Sequence, residues 1–233
     1  MRYISRYIHC APLALISCVV CLGVVLAGCG ALVTSPPPPV QATSSTEVVH
    51  AYPTPQSTAT SAIYSNALTT PTTGWANGAE CTFTASGLVV QPNGGQAYIC
   101  LAPTAQLTDT SITVTTRETS GSMNHAYGIA FHHAAPKNYY FFGIDGHGRF
   151  TFTVVVNDVS HTIIAFTPSA AIHTGMNVSN QLQVIVKGKQ ITCLVNGTAV
   201  GQVTVSTFPD GSVGLRGIND GTVVFQQLVI DPV

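Results

Sequence analysis

Residues 127–152, YGIAFHHAAPKNYYFFGIDGHGRFTF, constrain this chain more than any other stretch. Tyr127, Ile129 and Phe131 alternate with Gly128, Ala130 and His132, the period of two of a strand with one buried face. After the break at Ala134-Ala135-Pro136, residues 138–144 are apolar on both faces, as a strand covered on two sides requires. Asp145-Gly146-His147-Gly148 then supplies a hairpin turn whose glycines tolerate positive φ. Phe150, Phe152, Val154 and Val156 alternate with Arg149, Thr151 and Thr153. Three consecutive antiparallel strands follow from this pattern, and they would form the aromatic centre of a sandwich.

The flanking sequence repeats the theme. Short strand-like runs are expected at 80–84, 87–91, 97–101, 111–117, 162–166, 181–187, 190–195, 199–205, 212–215 and 223–230. Turns at 92–95, 187–189 and 196–197 carry Gly or Asn where the left-handed region is needed. No segment has helical periodicity long enough for a helix. So many short strands argue for an all-β fold, two antiparallel sheets packed face to face.

The N-terminus has a different character. Arg2 and Arg6 precede an almost wholly apolar run at 11–25, the pattern of an export signal. It closes on Leu26-Ala27-Gly28-Cys29, which resembles the lipobox of bacterial lipoproteins: small residues before a cysteine that takes the lipid. The competing reading is an uncleaved membrane span. Either way, the remainder is expected outside the cytoplasmic membrane, and the lipobox favours a membrane anchor at Cys29. Residues 29–73 are rich in Ser, Thr and Pro, including Pro36–Pro39, and contain one acid and no Lys or Arg. They are expected to be a flexible linker spanning about 35–40 Å. The expected organisation is therefore a signal at 1–28, a linker at 29–73 and a folded domain at 74–233.

Past the signal, six basic and nine acidic residues leave a net charge near −3, with the basic residues scattered. That excludes the positive patch of a nucleic-acid-binding protein. Nothing in the pattern specifies an oligomeric state. Cys81, Cys100 and Cys193 lie in the folded region. In an exported protein Cys81 and Cys100 are expected to pair. A simple hairpin would not set them opposite each other, so the bond needs an extra bend or a reach between sheets. Cys193 alternates with Ile191 and Val195 and reads as a small buried hydrophobe.

KGKQITCLVNGT at 187–198 resembles a hairpin of concanavalin A-like lectin/glucanase domains, and GSVGLR at 211–216 with 221–230 is similar to their closing strands. The likeness is greatest to the LamG-like and 3-keto-disaccharide-hydrolase-like branch of exported bacterial lipoproteins. One departure is Gln226-Gln227, where many members carry Asp-Asn. The resemblance implies a concanavalin A-like jelly roll whose concave sheet carries ligands. Its glucanases place catalytic carboxylates in a Glu-x-Asp-x-x-Glu run, which this chain lacks. No catalytic residue is therefore assigned. Most acids fall in turns, and Glu118, at a strand end, is the exception. As in some LamG-like domains, Asp145 or Asp220 could bind Ca²⁺. His132 and His133 point to opposite faces of a regular strand and make a poor zinc pair.

A ligand site is expected on the sheet face opposite the core. There Gly128 and Ala130 would leave backbone open, with His132 at the rim. Tyr139 or Tyr140, of which only one can face the cleft, would stack a sugar ring, and Arg117 and Arg149 would donate hydrogen bonds. Trp75 is expected to seal the core edge. The leading expectation is a lipid-anchored, extracellular, non-catalytic module for carbohydrate binding or surface recognition, with an oligo- or polysaccharide as its partner. A glycoside hydrolase comes second and a structural envelope protein third.

Overall fold

The computed structural model describes residues 61–75, 78–92, 96, 98–124, 126–135, 137–217 and 220–233. The export signal, Cys29 and most of the expected linker lie outside the described residues. Among those described, fourteen strands build two antiparallel sheets. The larger runs β12 (Thr198–Thr204), β11 (Gln190–Val195), β10 (Asn180–Lys187), β5 (Thr110–Gly121), β14 (Gly221–Pro232), β3 (Gly87–Val90), β2 (Cys81–Thr84). The short β1 (Tyr64–Asn66) also pairs with β14. The smaller runs β4 (Tyr98–Leu101), β13 (Ser212–Gly217), β6 (Tyr127–Ala135), β7 (Asn138–Ile144), β8 (Arg149–Val156), β9 (Val159–Pro168).

The inner faces follow from the alternation. Ile112 and Val114 of β5, Leu182, Val184 and Val186 of β10, and Phe225 of β14 face Ile129 and Phe131 of β6, Phe142 of β7 and Phe152 of β8 in one buried core. Strand β7 is covered on both sides, as its sequence requires. Tyr140, Phe142 and Ile144 enter the main core, while Tyr139 and Phe141 join a smaller outer cluster with Ala126, Ala130 and Val155.

The sandwich begins earlier than residue 74. Tyr64–Asn66 hydrogen-bonds along Leu228–Ile230, Leu68 is fully buried, and Asn66 accepts the Leu68 amide at 2.6 Å. A Ser/Thr-rich composition reads as linker, yet three residues and one leucine suffice to cover the end of β14. Trp75 is buried, donates to the Tyr64 hydroxyl at 2.9 Å and meets the Phe83 ring edge-on.

The Cys81–Cys100 disulfide forms. It joins β2 at the edge of the larger sheet to β4 at the edge of the smaller one, so the reach is between sheets. Closing a loop of this length stabilises the fold by about 3 kcal/mol. Cys193 is a free, buried thiol, its pKa raised by burial.

Candidate functional site

The smaller sheet carries a groove of about 330 Å³ on its outer face, at the low end of the range of small-molecule sites, roughly 300–1,000 Å³. Thr151 and Thr153 of β8, Ser160 and Thr162 of β9, Phe141 of β7 and Arg216 of β13 line its floor and sides, and Asn124, Ala126, Ala165 and Phe166 close it. The polar members are neutral apart from Arg216, and no described lining residue is acidic. Hydroxyls and an amide between two aromatic rings suit a neutral polyol surface.

Register explains the shape. Arg216 of β13 sits opposite Gly128 of β6, Gly128 opposite Gly143 of β7, and Gly143 opposite Thr151 of β8. Two adjacent strands therefore carry no side chain in this row. The space is used: a Cβ on Gly143 would collide with Cζ of Phe141, so that ring rests on the bare backbone. The Arg216 guanidinium in turn lies 4.4 Å from the Phe141 ring centre and 5.4 Å from that of Tyr139. Arg216 is only 8% exposed, and among the described residues its Nε has no hydrogen-bond partner. Burial lowers its pKa from the ordinary arginine value, because the charged form loses hydration.

The five expected ligand residues divide. Tyr139 lies on the groove side, packed under Arg216 and stacked on His133. Arg149 borders the groove, 4.8 Å from the Phe166 ring centre, with Nη2 donating to Asn124 Oδ1 at 3.3 Å. Tyr140 is on the other face, fully buried, its hydroxyl accepting the amides of Thr207 and Phe208 at 2.9 and 3.0 Å. His132 is not at the rim. A bulge between Phe131 and Ala135, with His132 at φ 48°, turns its ring inward against Phe131 and Tyr140. There Nδ1 lies 2.9 Å from the Phe208 carbonyl. Arg117 projects from the far face of the larger sheet, as the alternation with buried Thr116 and Glu118 dictates.

Sequence reasoning missed Arg216. Its signal was present: Val213 and Leu215 face the core, so Gly214 and Arg216 must face outward, and a charged residue in the middle of a strand is unusual in so uncharged a chain.

The acids lie elsewhere. Asp145 is buried and accepts the amides of His147 and Arg149 through Oδ1 and the Arg149 guanidinium through Oδ2. A carboxylate so engaged has few lone pairs left for Ca²⁺. Asp220 is exposed. Among the described residues no three His, Cys, Asp or Glu side chains converge to hold a metal ion. Glu118 faces inward from β5, and burial first, then the charge of Asp145, pushes its pKa up to about 7.

No family model and no curated protein matches the sequence. Solved structures do match the fold. The carbohydrate-binding module CBM66 from Bacillus subtilis is 22% identical, with a TM-score of 0.59 over 68% of this chain and 95% of that one. The Emp47p carbohydrate recognition domain is 14% identical, with a TM-score of 0.55 over 74% of this chain and 96% of the other. A β-glucanase of Bacillus licheniformis is 10% identical, with a TM-score of 0.53 over 73% of this chain and 98% of the other. The described chain thus has the jelly-roll β-sandwich fold of the concanavalin A-like lectins and glucanases.

Proposed function

We propose that this protein is a non-catalytic saccharide-binding module, held at the outer side of a bacterial membrane by a lipid on Cys29. The observation that carries the reading is the outer-face groove: threonine and serine side chains of β8 and β9 line it between the exposed Phe166 ring and the buried Phe141. Tyr139 and Arg149 support it from either side. Binding without hydrolysis fits the absence of a carboxylate among the described lining residues, since glycosidic cleavage needs two carboxyl groups flanking the bond. Glu118 and Asp145 face the interior and the β7–β8 turn. The lipobox, the basic n-region and the Ser/Thr-rich stretch that follows support the anchor.

A glycan-array screen of the protein, followed by product analysis on every hit, tests the function. Saturable binding without new reducing ends is the expected result. Cleavage would replace the reading with a hydrolase, and an empty array would favour an envelope protein with no sugar ligand. For the anchor, Cys29→Ser should move the protein from the membrane to the soluble fraction. Retention there would argue for an uncleaved span.

A further inference from the structure

The groove holds a cation that no ion pair among the described residues neutralises. Arg216 is 92% buried by its 8% exposure, an expensive position for a charge unless it is paired. The aromatic rings of Phe141 and Tyr139 meet the guanidinium and offset part of that cost. Its Nε is buried and has no hydrogen-bond acceptor among the described residues. The ion pairs among the described residues, Lys137 with Asp158 and Arg149 with Asp145, leave Arg216 out. Asp158, whose charge Arg216 feels, is exposed and bonded to Lys137 Nζ at 2.7 Å.

We propose that the groove selects an acidic saccharide, with the carboxylate of a uronic acid unit held in the plane of the Arg216 guanidinium. This rests on the reading of the groove as a saccharide site and adds its substrate class. A guanidinium set against aromatic rings presents its N–H edge, the geometry that meets a planar carboxylate with two parallel bonds. The Thr151 hydroxyl already donates to the Ile164 carbonyl at 2.8 Å, whereas the exposed Ser160 and Thr162 remain for the ring hydroxyls of the sugar, and Phe166 for its apolar face. An incoming carboxylate also restores the stability of the charge that burial disfavours.

The test is titration calorimetry on the full chain in detergent, with oligomers of galacturonate, glucuronate and mannuronate. Each is compared with its own methyl ester, which keeps the size and removes the charge, and polyglutamate serves as a non-sugar polyanion. At least one acid oligomer should bind about tenfold or more tightly than its ester. Arg216→Lys should abolish that preference while keeping the charge, and Lys137→Gln, an exposed cation, should leave it intact. Esters that bind as well as the acids would overturn the acidic preference and leave the saccharide reading standing. Polyglutamate binding as tightly as the uronates would overturn it too. Wild-type protein that binds none of these glycans, nor any neutral glycan on the array, removes both readings. The acid-against-ester comparison needs no variant, so a misfolded Arg216→Lys would not obscure the answer.

Discussion

The two faces of β7 are built from the same kinds of side chain and finish differently. On the inner face Tyr140 packs against Phe131 and Phe152, and its hydroxyl accepts two backbone amides. Every polar atom of that tyrosine is accounted for within the fold. One residue earlier, Tyr139 turns outward and packs against Arg216, whose Nε has no acceptor among the described residues. At Tyr140 burial and hydrogen bonding go together. The outer face has the burial but keeps an open donor, which is how a surface made for a ligand differs from one made for stability.

The largest expected effect is on the inner face. Phe142→Ala removes a fully buried ring and should cost about 3–5 kcal/mol in denaturant unfolding. A loss below about 1 kcal/mol would mean that the inner row is not the core described above. Next comes the buried carboxyl of Glu118. Its folded pKa of about 7 lies above the unfolded value, so the folded state binds the proton more tightly. Stability should therefore be greater at pH 5 and fall as the pH rises towards about 7, where the penalty becomes complete. Glu118→Gln should flatten that slope and leave the variant more stable than the parent at pH 8, by an amount on the order of 2 kcal/mol. A slope of opposite sign in the parent would contradict the assignment.

Tyr140→Phe should cost about 1–2 kcal/mol, because the amides of Thr207 and Phe208 lose their acceptor. Its saccharide binding should match the parent, and weakened binding would place Tyr140 in the site after all. The smallest effect on stability belongs to Phe166→Ala, a half-exposed residue at the groove edge. A change within about 0.5 kcal/mol is expected, with a clear loss of glycan affinity. That separation of stability from binding sharpens the contrast between the faces. Equal affinity in parent and variant would remove Phe166 from the groove's function.

The strands were legible because period-two alternation survives wherever one face is buried. The turn at 145–148 was legible from its glycines. Alternation failed where the backbone left the regular strand. The bulge at His132 puts two extra residues into β6 against β7, so a ring assigned to the rim swings inward. The choice between Tyr139 and Tyr140 was decidable in principle. Gly143 shares a row with Tyr139 and Phe141, which leaves Tyr140, Phe142 and Ile144 as the fuller apolar row, and that row faces inward. β1 was hidden because its pairing partner lies more than 160 residues along the chain, beyond the reach of local composition. Arg117 and Arg216 look alike in sequence, and only the sheet to which each strand belongs separates them.

Strand β14 has a consequence for the timing of folding. It lies between β5 and β3 and also carries β1. Without those twelve residues the larger sheet falls into a four-stranded piece and a two-stranded hairpin, with β1 unpaired. β1 and the β2–β3 hairpin must therefore wait for β14 before they join the sheet. Each such closure spans well over a hundred residues, so contact order is high and collapse to the native topology is slow. A chain stopped short of residue 221 would be left with unpaired strand edges, open to aggregation and proteolysis. The arrival of β14 is what joins the two halves of the larger sheet.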